Sequence, residues 1–198
     1  MAVLRPIKLT ITNYPEGQSE TFQVENNPND PAAGTRSVTF SRHLYVEEED
    51  FMEQPIPKYK RLYPEGPECR LKGAYLITCT GCVKDESGRV VEILATYDPD
   101  SSGGNPADGR KVKGATIHWV DASTAVDAQV RLYDNLFADE NPDGGDKDFL
   151  DCLNPGSLEV LEGCKLEASL AAAQPADRFQ FLRLGYFCAD SKDSKPGA

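Results

Sequence analysis

The sequence predicts an all-β protein built as two barrel- or sandwich-like units with a few short helices. Three observations carry this. Short runs of alternating apolar and polar residues recur at roughly ten-residue spacing. No apolar stripe of helical period persists beyond two or three turns. A Pro-, Gly- and Asp-rich stretch from Asp98 to Gly109 interrupts the chain near its middle and reads as a linker or long loop. It sets one unit over residues 1–104, a second over 105–190, and a loose polar tail at 191–198.

The elements follow in order. Ile7–Thr12 alternates cleanly and predicts a half-buried strand, and Asn13–Gly17 a turn. Thr21–Val24 is a second strand, followed by an irregular loop at Asn26–Pro31, where two prolines oppose both helix and ladder. Ser37–Phe40 and His43–Val46 are further strands, and acidic Glu47–Met52 a helical turn or two. Arg70–Cys79 predicts a longer strand; residues 83–97 predict a hairpin with its turn at Asp85–Gly88. Gly109–Val120 begins as a basic loop and ends as a β-branched and aromatic strand. Ala122–Ala128 suggests a short helical turn, Ala128–Asp134 a strand, and Asp148–Leu153 a short helix. Ser157–Leu166 is a strand with a bulge or turn at Gly163. Phe179–Cys188 is the last strand.

The 198 residues carry a net charge of −11, which argues against bulk non-specific nucleic-acid binding. Charge is segregated along the chain, however. Residues 58–72 hold five cations (Lys58, Lys60, Arg61, Arg70, Lys72) against Glu65 and Glu68, whereas Glu47–Asp50 is four acids in a row. Arg110, Lys111 and Lys113 form a second basic cluster, which suits an anion such as phosphate or simply a solvated turn. No apolar run reaches the ~18–20 residues needed to span a membrane, and Arg5, Pro6 and Lys8 break any signal peptide. Of the six cysteines, Cys79 and Cys82 have CxxC spacing, but no second pair or nearby His completes a zinc set. Buried free thiols and no metal are the expectation. There is no phosphate loop, HExxH or nucleophile elbow to support catalysis.

A β scaffold with basic and aromatic residues suits single-stranded nucleic acid, whose splayed bases stack on rings while cations meet the backbone. The last strand fits that use. Gln180 offers both a donor and an acceptor to a base edge, and Arg183 can contact phosphate or base. Alternatively, Gln180 is the solvent-facing member of an alternating strand.

Several segments carry a resemblance. They are Pro6–Leu9 with Asn13-Tyr14; Asn26–Asn29 with Gly34 and Arg36; Tyr59–Leu62; Tyr97-Asp98; Gly109–Gly114 with Ile117–Val120; Arg131–Asp134 with Leu136-Phe137; and Phe179–Phe181 with Arg183 and Gly185–Cys188. In this order they resemble the C-terminal anticodon-binding region of glutaminyl-tRNA synthetases, of the class I glutamyl/glutaminyl subgroup. The resemblance implies two β-barrels of the ribosomal protein L25 type. Together they would grip the anticodon stem-loop of the glutamine tRNA. It also implies a parent enzyme, monomeric and cytoplasmic, that attaches glutamine to tRNA with ATP and magnesium. That chemistry would lie in a catalytic domain of the same polypeptide, whose signature motifs this sequence lacks, so the fragment needs no cofactor and should be inactive alone.

Carried over residue by residue, Gln180 matches the glutamine that reads the middle anticodon base, a uracil, and Arg183 an arginine of the same site. Strict alternation would put these two on opposite faces. Arg70 matches an arginine of the region, and Lys72 stands where relatives often carry an arginine that reads the third base. A lysine there loses the bidentate fork. Asn29 matches a loop asparagine near the anticodon stem, and Pro67 replaces a lysine. Lys58, Lys60, Arg61, Arg110, Lys111 and Lys113 are expected on the RNA backbone, the last three in that or a structural role. Alternatives are an L25-like ribosomal RNA-binding protein and the anticodon region of a glutamyl enzyme.

Overall fold

The computed structural model describes residues 1–144 and 148–194. Among them every extended element is a β-strand and every helical element a short 3-10 turn. A seven-stranded sheet curls into a half-barrel. Its strands are β2 (Pro6–Ile11), β5 (His43–Glu47), β6 (Cys69–Leu71), β7 (Leu76–Lys84), β8 (Val90–Asp98), β9 (Thr116–Ile117) and β10 (Val120–Asp121), in the spatial order β10-β5-β2-β8-β7-β6-β9. A hairpin of β3 (Ser19–Glu25) and β4 (Thr35–Ser41) adds Val24, Val38 and Phe40 to the same core. Phe40 stands at its centre. It meets Tyr14, Phe22, Tyr75 and Trp119 edge-on, with ring centroids 5.2–6.0 Å apart.

The second unit is smaller. Its sheet joins β1 (Ala2–Val3), β12 (Leu158–Leu166) and β11 (Val126–Tyr133), with a register shift between Ala128 and Val130. The last hairpin, β13 (Arg178–Phe181) and β14 (Gly185–Cys188), turns Phe179, Phe181 and Phe187 toward the core that holds Ala2, Leu4 and Cys164.

Four sequence expectations change. Arg70–Cys79 is not one strand: Gly73 takes φ +73°, and the Ala74 N–H donates to Leu71 O at 3.0 Å, so the chain turns between β6 and β7. Phe179–Cys188 is a hairpin turning at Leu182–Leu184, with Arg183 at φ +73°. The Gly109–Val120 stretch forms only the two-residue β9, and Val120 opens β10. Gly114 is needed in this irregular run, because a Cβ there would sit 2.2 Å from Glu68 O. The expected boundary at 104/105 is crossed in both directions. Residues 116–121 pair into the first unit's sheet, while Ala2 and Val3 pair with Leu166 and Lys165 of the second. Residues 145–147 and the tail beyond 194 lie outside the described residues. The start of the tail is held where Arg131 Nη1 donates to Asp193 at 2.7 Å.

Two carboxylates organise the seam between the units. Glu47, at the end of β5, accepts from the Leu4 N–H (2.7 Å), the Arg5 N–H (3.0 Å) and His118 Nε2 (3.2 Å). Asp50, fully buried in the 3-10 turn Glu48–Asp50, accepts both terminal nitrogens of Arg183, at 2.6 and 2.9 Å. Arg61 Nε lies 3.3 Å from the same carboxylate. His118 Nδ1 accepts from Arg183 Nη1 at 3.3 Å, so a proton on Nε2 serves the whole chain of bonds. A third link joins Arg36 of β4 to Glu167, with Nη2 at 3.1 Å.

Replacing Gly114 by Ala should lower stability by about 1–3 kcal/mol, since backbone and the Cys69 side chain must move aside. The midpoint of urea unfolding at unchanged m checks this. Glu47 carries a pH signature. Burial pushes its carboxyl up, but hydrogen bonds from His118, Leu4 and Arg5 together hold it below its ordinary 4.5. A depressed carboxyl stabilises fully above the ordinary value and loses that contribution as pH falls through the folded one. The wild type should therefore lose stability relative to Glu47→Gln as pH falls below 4.5, measured as converging unfolding midpoints. Parallel midpoints across that range would contradict this.

Candidate nucleic-acid interface

The seven-stranded sheet brings the basic residues onto one edge. Ala115 N–H donates to Lys60 O (2.7 Å), Gly114 N–H to Glu68 O (3.1 Å), Arg70 N–H to Ala115 O and Lys72 N–H to Ile117 O (both 2.9 Å). These bonds stitch the segments around 58–61, 68–72 and 110–117 side by side. Charge that is dispersed in the sequence thus becomes local, because β6 and β9 pair in parallel across a long connection.

The cations on this edge are not equivalent. Lys58, Lys60, Lys72, Lys111 and Lys113 make no ion pair among the described residues, so their charge is open to solvent. Arg110 is different: Glu68, Asp98 and Asp108 bind its guanidinium at 2.7, 2.5 and 2.9 Å, and these carboxylates hold its pKa well above the usual value. It closes the loop onto the sheet. Arg70 directs Nε at Gly104 O and Nη1 at Thr116 Oγ1, 3.5 Å away, which fixes its stem without neutralising it. Arg61 is shared between Glu49 and Asp50. Asn29 sits in the exposed loop before Pro31–Ala33, where its N–H donates to Asn27 Oδ1 at 3.0 Å and its side-chain amide makes no hydrogen bond among the described residues.

The second surface is the outer face of the β13–β14 hairpin. Its pleat turns Arg178, Gln180, Tyr186 and Cys188 outward. Gln180 is exposed, makes no side-chain hydrogen bond among the described residues, and stands directly opposite Tyr186. Tyr186 is 84% exposed. Behind them Phe181 and Phe187 pack at 4.8 Å between centroids, which backs the face with apolar contact. Gln180 and Arg183, expected together, are not on one surface. Gln180 faces outward from β13, whereas Arg183 bends from the hairpin turn to Asp50. The positive φ at 183 turns the backbone toward the seam, and the buried carboxylate captures the guanidinium there. Asp50 and His118 use three of its five N–H groups, leaving Nε–H and one Nη2–H. Arg183 also lines a cleft of about 470 Å³ with Arg5, Glu47, Leu132 and Phe187.

Sequence reasoning missed Tyr186 and Arg178. The signal was available, because period-two alternation puts both on the face of Gln180, and a turn before Gly185 makes Tyr186 its cross-strand neighbour. Cys79 and Cys82 flank a register shift in β7, burial pushes the Cys79 thiol up to about 11 and the Cys69 thiol up to about 12, and the cysteines are free. No group of three or more metal-ligating side chains occurs among the described residues, and no helix there is long and apolar enough to cross a membrane.

Comparison with known proteins places the chain in a family. The family described as tRNA synthetases class I (E and Q), anti-codon binding domain, matches residues 1–98, and a second family of the same description matches 116–190. The chain is similar over its whole length to proteins named glutamine--tRNA ligase. It is 52% identical to the one from Clostridium kluyveri, 54% to that of Pseudomonas putida and 56% to that of Bordetella pertussis. It spans 35%, 34% and 33% of those proteins, about a third of their length. The chain belongs to the anti-codon binding domain family of the class I (E and Q) tRNA synthetases.

Proposed function

We propose that this chain reads the anticodon loop of a glutamine tRNA, with the β13–β14 face recognising the middle base and the basic edge receiving the RNA backbone. The observation that carries this is Gln180. It is an unpartnered amide on a sheet face, beside an exposed aromatic and the cation Arg178. A glutamine amide donates with its NH2 and accepts with its oxygen, the complement of a uracil edge, which offers one N–H between two carbonyls. A cytosine edge reverses both groups, with an amine donor at C4 and a bare N3 acceptor, so an amide held in the orientation that suits N3–H and O4 of uracil loses both bonds.

The other residues divide by what holds them. Lys58, Lys60, Lys111 and Lys113 are exposed and unpaired, and serve the phosphates. Arg70 and Lys72 lie on adjoining backbone of the same edge and face the flanking anticodon bases; Asn29 supports the stem from its loop. Arg61 keeps part of its guanidinium outward. Arg183 offers its remaining N–H groups from a fixed position. Arg110 is surrounded by carboxylates and holds the loop. The acidic remainder of the chain repels RNA that does not fit both surfaces.

Two thirds of the relatives' length lies outside this stretch. We assign to that part the ATP- and magnesium-dependent attachment of glutamine, carried out by a catalytic domain in the same polypeptide, in a monomeric cytoplasmic enzyme. The present chain supplies recognition and uses no cofactor.

Gln180→Ala should relax selectivity at the middle base by about 1–3 kcal/mol while leaving the fold unchanged. The measurement is the ratio of dissociation constants for stem-loops with U and with C at that position. An unchanged ratio would make Gln180 an ordinary surface amide. Replacing Lys111 and Lys113 together by Gln should weaken both loops equally. It should also reduce the slope of log affinity against log salt by up to about two, seen in a salt titration.

A further inference from the structure

We propose that Tyr186 is a base-stacking residue: its ring forms the floor on which one anticodon base lies while the Gln180 amide meets that base's edge. This rests on the anticodon reading above and assigns a residue to the same face.

Four observations meet at this position. Tyr186 is 84% exposed, in a hairpin whose other aromatics, Phe179, Phe181 and Phe187, all pack inward. An aromatic kept almost wholly in water contributes nothing to that core. Its hydroxyl makes no hydrogen bond among the described residues, so the ring is not there to anchor a polar tip. Gln180 is its direct cross-strand partner, which sets the two Cβ atoms about 4.5–5.5 Å apart on one face. Arg178, two residues along on that face, is exposed, makes no ion pair among the described residues, and stands diagonal to the ring.

The geometry fits a nucleobase better than an amino-acid side chain or a bare phosphate. A flat ring next to a two-way hydrogen-bonding amide offers one surface to a π-face and one to an edge, and only a planar heterocycle presents both at once. A phosphate would use Arg178 alone and leave ring and amide idle. Single exposed apolar residues are common on protein surfaces; here the ring is held by strand pairing, backed by packed aromatics, and next to an amide with no partner among the described residues.

The substitution is structurally clean, because Tyr186 is almost fully exposed and is not among the residues of the second unit's core. Tyr186→Leu keeps bulk and apolarity but removes the π-face; Tyr186→Phe keeps the π-face and removes the hydroxyl. Stem-loops carrying 2-aminopurine at each anticodon position in turn report stacking by fluorescence quenching, alongside dissociation constants for loops with U and with C in the middle. We expect the wild type and Tyr186→Phe to prefer U and to quench the probe at one anticodon position. Tyr186→Leu should bind on the order of 5- to 100-fold more weakly, without that quenching, at an unchanged unfolding midpoint. If the wild type prefers U but Tyr186→Leu binds and quenches as the wild type does, the stacking role is wrong and the anticodon reading stands. If Tyr186→Phe loses as much as Tyr186→Leu, the hydroxyl and not the ring makes the contact, which also overturns it. A wild type indifferent to the middle base removes the anticodon reading, and this proposal with it.

Discussion

The buried carboxylate of Asp50 decides how the two units of this chain become one surface. It has no exposure to solvent, and it is tolerable there only because Arg183 binds it with two terminal nitrogens while Arg61 approaches its other side. An unpaired carboxylate in that position would cost several kcal/mol. The pairing therefore ties the turn of the last hairpin to the first unit's 3-10 turn. Glu47 makes a parallel tie through His118 and the backbone of Leu4 and Arg5. The outward face of the hairpin and the basic edge of the first sheet are thus held by charge and hydrogen bonding rather than by the second unit's small apolar core.

This arrangement sorts the cations of an acidic protein into two kinds. Arginines dominate where a fork geometry is needed: Arg183 and Arg61 at Asp50, Arg36 at Glu167, Arg110 among three carboxylates. The lysines of the basic edge are left open. A chain with a net charge of −11 can still carry a local positive edge, because arginines take up several of its acids while the lysines at 58, 60, 72, 111 and 113 make no ion pair among the described residues.

How much of this was legible in the sequence depends on the residue. Alternation located most strands, and the glycine at 163 marked a real irregularity, with φ +69°. Gln180 was singled out by its chemistry on an alternating segment. The same alternation misled where the chain turns without an obvious signal. Leu182-Arg183-Leu184 contains no Gly, Pro or Asn, so ten residues of good strand propensity read as one strand when they are two. Splitting them places Arg183 in the turn and folds Tyr186 back directly opposite Gln180. Gly109–Val120 likewise read as loop and strand, whereas Ile117, His118, Trp119 and Val120 are all buried between layers, with Trp119 Nε1 donating to Lys72 O at 3.1 Å.

Sequence alone determined the all-β class, the segregation of charge and the residues whose spacing matches the anticodon-binding family. These follow from local pattern, since a side chain's period and chemistry are properties of neighbouring positions. Only the tertiary structure decided which strands exchange between units, which cations stay free and where Arg183 points. Those outcomes depend on partners far along the chain. The Asp50–Arg183 pair spans 133 positions, and Ala2 and Val3 find their ladder at Leu166 and Lys165. Whether a charged side chain faces RNA or its own protein is settled by what folding places beside it, and no local pattern encodes that neighbour.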